Sequence, residues 1–213
     1  AAFAQAAYPA KPVTITVVYS PGGSNDMIGR VLADALTRRT GQQFLVQNLP
    51  GANGSTGTAD AARQPADGYH LLLSGPSTLI QNPYLQGDVG FDETSFAPIA
   101  KLTEIDFALV VRKDLGIDSV EELVQYSKDN PDTLNYGSAG VGNTAHQLGE
   151  LFKARSGADI THIAYQGGAQ AVAAFVAGEV EVVFNPVNEI MHNSHSGDGL
   201  PLATFTKSRL AVL

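Results

Sequence analysis

The sequence predicts an α/β fold in two domains, each built on a parallel-rich sheet flanked by helices. Three observations predict it. Short β-branched or apolar runs alternate with longer stretches whose apolar residues recur at helical spacing. The junctions that lead from run to helix are made of Gly, Pro, Ser and Asn, the residues of tight turns. These strand–turn–helix units occur through the first hundred residues and again after residue 130, with an extended apolar stretch between the two sets.

The first strand covers residues 13–18, and a helix follows from about Met27, with Ile28, Val31, Leu32, Ala35 and Leu36 on one face. Tyr19-Ser20-Pro21-Gly22-Gly23-Ser24-Asn25-Asp26 joins them. Pro21 fixes its own φ, and Gly22 and Gly23 tolerate positive φ. Ser24 or Asn25 is the expected helix cap, and Asp26 sits in the first turn, where the helix dipole favours an acid. A capped turn of this kind occurs in every α/β protein. It also leaves backbone N–H groups at a helix N-terminus, which suits an anion.

Residues 42–47 form the second strand, and the loop 50–57 opens a small-residue helix over 55–63. Asp67-Gly68 turns the chain into a third strand at 70–73, after which Ser74-Gly75-Pro76-Ser77-Thr78 repeats the junction. Residues 97–102 and 107–111 read as two connected strands that cross between domains. Ser119 caps the next helix, with Glu122 at the capping-box position, and Asn130-Pro131 ends it. Strands at 134–137, 160–164 and 180–184 alternate with helices at 143–156 and 169–177, which predicts a second parallel sheet. Residues 202–206 read as a return to the first domain. The expected boundaries are 8–103 with 203–213 for the first domain and 104–202 for the second, with 1–7 outside both.

The formal charge of the 213-residue chain is −8 and its basic residues are scattered, which excludes the basic face that nucleic acid requires. Cysteine is absent, so disulfides and thiolate metal sites are excluded. Ala4-Gln5-Ala6 matches an A-x-A cleavage pattern ahead of Tyr8-Pro9, so residues 1–7 read as the tail of an export signal.

Gly140-Val141-Gly142-Asn143-Thr144-Ala145 matches the dinucleotide fingerprint between a strand and a helix. The ribose-binding acid expected after the next strand is missing, because Asp159 precedes that strand and Tyr165-Gln166 follows it. A nucleotide-dependent enzyme is therefore the alternative reading. Neither a hydrolase elbow nor a P-loop occurs. His192 and His195 have metal-ligand spacing but lie in a stretch that reads as an exposed loop. His146 and His162 are isolated.

Five motifs occur in order: Pro21-Gly22-Gly23-Ser24-Asn25-Asp26, Asn48-Leu49-Pro50-Gly51-Ala52-Asn53-Gly54, Pro65-Ala66-Asp67-Gly68-Tyr69, Tyr136-Gly137-Ser138-Ala139-Gly140-Val141-Gly142-Asn143-Thr144 and Tyr165-Gln166-Gly167-Gly168. In that order they resemble the Bug family of periplasmic solute receptors, the binding components of tripartite tricarboxylate transporters. The resemblance covers nearly the whole chain from Tyr8. Leu49 stands where a basic residue is common, and Asn185 where an acid is common.

The resemblance implies a type II, Venus-flytrap binding protein in the periplasm. Such a protein closes about a hinge on a small carboxylate, has no catalytic step and needs no cofactor or metal. It implies that Ser138, Gly140, Gly142, Asn143 and Thr144, with Tyr165, Gln166, Gly167 and Gly168, hold the ligand carboxylate. Tyr19, Ser20, Gly22, Gly23, Ser24 and Asp26 would face the ligand from the first domain, with Ser74 and Ser77 lining the same cleft and Asn185 nearby. Tyr19, Tyr84 and Tyr165 would supply an apolar wall. The implied partners are a dicarboxylate, tricarboxylate, aromatic acid or amino acid, and the membrane components of the transporter. Family members continue past Leu213, so the last part of the first domain is expected to be missing here.

Overall fold

The computed structural model describes residues 8–196, 198–208 and 210. The chain divides into two compact units, one ending at Phe96 and the other beginning at Ala97.

In the first unit, β1 (Val13–Val17) is followed by α1 (Ser24–Thr40), β2 (Phe44–Asn48), α2 (Ser55–Ala62), β3 (His70–Leu73) and α3 (Asn82–Gln86). The sheet is fully parallel in the order β2-β1-β3. Val13, Ile15 and Val17 are buried because β1 is central, and they pack with Ala33 and Phe44. The buried stripe of α1 runs through Gly29, Leu32, Ala33 and Leu36; Val31 and Ala35, expected inward, are exposed. Gly29 sets this phase, since a Cβ there would lie 2.9 Å from Val17 Cγ2. The glycine lets the helix sit directly on the central strand. Gly23, not Ser24 or Asn25, is the N-cap of α1, with no side-chain capping bond.

The second unit contains β4 (Phe107–Arg112), α4 (Val120–Asp129), β5 (Asn135–Ser138), α5 (Thr144–Ser156), β6 (Thr161–Ala164), α6 (Gly168–Ala177), β7 (Val182–Pro186), α7 (Val187–Ser196) and β8 (Gly199–Thr204). Ser119 caps α4 as expected, accepting from the Glu122 amide at 3.1 Å. The strand order is β6-β5-β7-β4-β8. β5 is parallel to β6 and β7, but β4 runs antiparallel to both β7 and β8, so the sheet is mixed, with its parallel part at β6-β5-β7. Residues 97–102 form no strand. Residues 202–204, read as a return to the first domain, belong to β8 on the outer side of β4. The backbone of 192–195 continues α7, which corrects the loop reading; the side chains of His192 and His195 lie outside the described residues.

β4 alternates strictly between two cores. Leu109 and Val111 join Leu123, Tyr136, Ala145 and Phe184 on the face covered by α4 and α5. Ala108 and Val110 join Ala174, Phe175, Val187 and Ile190 on the face covered by α6 and α7. A period of two on a strand buried on both sides explains why its whole run is apolar. Both units share one plan. β1-α1-β2-α2-β3 folds in the order β2-β1-β3, and β5-α5-β6-α6-β7 folds in the order β6-β5-β7.

Candidate functional site

In an open α/β sheet, a crevice forms at the carboxyl ends of neighbouring strands whose outgoing connections diverge. In the second unit those strands are β5 and β7. β5 leaves through α5 toward β6 at one edge, and β7 leaves through α7 toward β8 at the other. α5 and α7 cover opposite faces. The loop beginning at Ser138 and the strand end at Asn185 meet at this point. A second loop joins them, because Ser138 and Ala164 are register partners and the Tyr165 amide donates to Ser138 O at 2.8 Å. The structure thus brings together Ser138, Gly140, Gly142, Asn143, Thr144, Tyr165, Gln166, Gly167, Gly168 and Asn185 at one end of one sheet.

Fully buried Ser138 organises the first of these loops. Its Oγ accepts the Gly140 N–H and donates to Gly140 O, both at 3.2 Å, and lies 2.7 Å from His162 Nε2. Gly142 has φ 83°, which favours glycine, and its N–H donates to His146 Nδ1 at 3.0 Å. Asn143 caps α5 by accepting the His146 amide at 2.8 Å. Thr144 is exposed on the first turn. In the second loop, Gln170 Oε1 accepts the Gln166 amide at 3.0 Å. Gly167 is extended at φ 176°, a conformation open to any residue. The sequence reading expected loops with free amides. The structure shows that the amides of Gly140, Gly142 and Gln166 are already bound within the fold, which leaves the first-turn amides of α5 and α6 as the donors that helix geometry supplies.

His146 and His162, read as isolated, are stacked with ring centroids 4.2 Å apart. Burial, then the neighbouring His146, pushes His162 down to about 4. Burial likewise lowers His146, opposed by Glu150. Because its Nδ1 accepts the Gly142 N–H, His146 is neutral in this arrangement. Sequence spacing held no signal for the pair, since β6 and α5 meet only in three dimensions.

In the first unit, Asp26 is buried and bonded within its own turn and to its neighbours. Its Oδ2 accepts the Gly22 N–H and Arg30 Nε, each at 2.9 Å, and its Oδ1 accepts Asn48 Nδ2 at 3.0 Å. Asn48 Nδ2 also donates to Tyr19 O at 3.1 Å. Asp26 therefore braces the turn, with Gly22 at φ 85° and Ser20 and Gly23 buried beside it. Burial, the largest influence, pushes the Asp26 carboxyl up. Hydrogen bonds from Arg30, the Gly22 amide and Asn48 together outweigh it and hold the group below its ordinary value. A depressed carboxyl contributes stability above its unfolded pKa, and the contribution is lost as pH falls through the folded one. Asp26→Asn is expected to lower stability by about 2 kcal/mol at pH 7, and the gap from wild type should narrow in urea titrations as pH falls below 4. A constant gap would show that the charge does not carry the effect.

Tyr19 enters a polar cluster that the sequence reading missed. Its hydroxyl meets Asn53 Oδ1 and Thr78 Oγ1, each at 3.0 Å, and Ser77 Oγ at 3.5 Å. Asn53 Nδ2 donates to Asn82 Oδ1 at 2.8 Å, and Asn82 Nδ2 to Ser55 Oγ at 2.8 Å. Four consecutive residues of this turn have positive φ: Gly51 (136°), Ala52 (48°), Asn53 (52°) and Gly54 (86°). Strained backbone of this kind persists only where its surroundings hold it, here through the buried Asn53–Asn82 pair. Asn53 within the second motif and the Asn82-Pro83 pair were the available signals. Ser74 Oγ is buried with no partner among the described residues. Tyr84 is 78% exposed and forms no wall within its unit. Among the described residues, no group of three or more His, Cys, Asp and Glu could hold a metal ion.

A family model for receptors of the tripartite tricarboxylate transporter family matches residues 28–213. Protein BugT of Bordetella pertussis (strain Tohama I) is 34% identical over 204 residues, which cover 95% of this chain and 63% of BugT. The chain thus spans less than two thirds of that relative. A solved structure described as a periplasmic transporter superposes with a TM-score of 0.91 at 30% identity, covering 96% of this chain and 69% of the other. An R. palustris protein solved with adipate gives a TM-score of 0.87 at 29% identity, covering 95% and 68%. No helix among the described residues is long and apolar enough to cross a membrane. With its five motifs placed on the fold shared by these neighbours, the chain belongs to the tripartite tricarboxylate transporter receptor family, with the Bug proteins among its relatives.

Proposed function

We propose that this protein is a periplasmic receptor that binds a small carboxylate, without catalysis, and delivers it to the membrane components of a tripartite transporter. The observation that carries the reading is the pairing of Ser138 with Ala164 and of the Tyr165 amide with Ser138 O. It sets two small-residue loops side by side, each leading into the N-terminus of a helix. Neither loop holds Lys or Arg. The donors for an anion are therefore first-turn amides, whose partial positive charge acts only at short range. Adipate in the structure of one relative supports a carboxylate ligand. The periplasmic description of another supports the location.

Titration with carboxylic acids, with NAD as the control, tests the reading. A bound acid at one hundred times its Kd should stabilise the fold by about 2.7 kcal/mol, and NAD should leave it unchanged. Stabilisation by NAD alone would favour a nucleotide-dependent enzyme. The affinity should change by less than tenfold, about 1.4 kcal/mol, between low and high sodium chloride. A larger loss would mean that a basic side chain holds the anion.

A further inference from the structure

We infer that the preferred ligand carries a hydrogen-bond donor, an amino or hydroxyl group, close to its carboxylate, and that Asn185 reads it. The inference rests on the carboxylate reading above and concerns the same site. Asn185 is 1% exposed, at the carboxyl end of β7, where the connections of β5 and β7 diverge. Its Nδ2 donates to Gly168 O at 3.3 Å and to Glu189 Oε2 at 3.0 Å. Both partners are acceptors, so the amide cannot be turned over without setting oxygen against oxygen. That fixes Oδ1 as the remaining acceptor of the carboxamide, and it is buried with no donor among the described residues. Buried polar atoms in folded proteins are almost always satisfied, and an orphaned acceptor at a ligand crevice calls for a donor.

The charge beside it points the same way. Glu189 lies against the first residue of α6, so close to Gly168 that a Cβ there would overlap its carboxylate. The crevice therefore holds the positive end of a helix, an anionic side chain and an unfilled neutral acceptor within a few residues of one another. A plain carboxylate answers the first and is repelled by the second. A carboxylate with an adjacent ammonium answers all three, and one with an adjacent hydroxyl answers the first and third. The expected order is amino acid, then hydroxy acid, then the unsubstituted parent.

Titration calorimetry on matched series tests this. Suitable series are succinate, malate and aspartate; glutarate, 2-hydroxyglutarate and glutamate; and 3-phenylpropionate, 3-phenyllactate and phenylalanine. In the series that binds, a substituted acid should bind at least tenfold tighter than its parent. Asn185→Leu should reduce that advantage below twofold. Asn185→Ala, which removes the same acceptor with a smaller side chain, should do likewise and carries the test if the leucine variant fails to fold. A parent acid that binds within twofold of its substituted partners overturns the inference while leaving the carboxylate reading intact, as does an advantage that survives Asn185→Leu. Failure of every acid to bind overturns the carboxylate reading itself.

Discussion

Replacing Gly149 with valine is expected to lower the stability of the second unit by about 3 kcal/mol or more. α5 packs directly on the Tyr136 ring, and a Cβ at residue 149 would lie 2.5 Å from Tyr136 Cζ and 2.8 Å from its hydroxyl oxygen. The ring has nowhere to go. It is fully buried, with Phe184 edge-on at a centroid distance of 5.4 Å and His162 at 4.9 Å. Its hydroxyl donates to Glu150 Oε1 at 2.9 Å and approaches His146 O at 3.3 Å. A valine must push the helix off the sheet or break these bonds. Since Asn143 and Thr144 open the same helix, displacement would also move the candidate site. Urea unfolding of the variant checks the expectation, and a loss below about 1 kcal/mol would show that the tyrosine can repack.

Stability should fall between pH 7 and pH 5, before ordinary carboxylates titrate. His162 is pushed from the usual 6.5 to about 4, first by burial and then by the stacked His146, with Lys153 adding to the effect and Glu150 opposing it. His146 is lowered by burial and Lys153, against Glu150. A histidine with a depressed pKa binds its proton more weakly when folded. Its stabilising contribution is therefore complete above 6.5 and is lost as pH falls toward 4. The shift from 6.5 to about 4 corresponds to at most roughly 3 kcal/mol, at about 1.36 kcal/mol per pH step of one. Protonation of His146 would also remove the acceptor of the Gly142 N–H and loosen the loop over 140–143. Urea midpoints at pH 7, 6 and 5 should decline in the wild type and flatten in His162→Gln. A flat wild-type profile over this interval would sink the assignment.

Much of the fold was legible because its signals are local. The β-branched run at 13–17, the capping pair Ser119 and Glu122, and the glycine-punctuated junctions each follow from short-range sterics and hydrogen bonding, and they stand where the sequence placed them. The motif order alone carried the family. The misplacements share one cause, that local propensity does not say which strand will be a neighbour. β4 reads like any buried strand, and its antiparallel direction depends on pairing with β7 and β8 far along the chain. The phase of α1 was misjudged because a glycine, invisible to hydrophobic periodicity, chose the contact face.

What the sequence determined by itself was the list of loops: small residues, hydroxyls and no cations at the ends of predicted strands. Only the tertiary structure decided what those loops offer. It turned Asp26 inward to brace its own turn, assigned the Gly142 amide to His146 and stacked two distant histidines. It also left Asn185 Oδ1, beside Gly168, without a donor among the described residues. The physical reason is that a loop amide or a buried carboxamide takes whichever partner packing brings within 3 Å or so, and β-sheet order, not sequence distance, sets which partners those are.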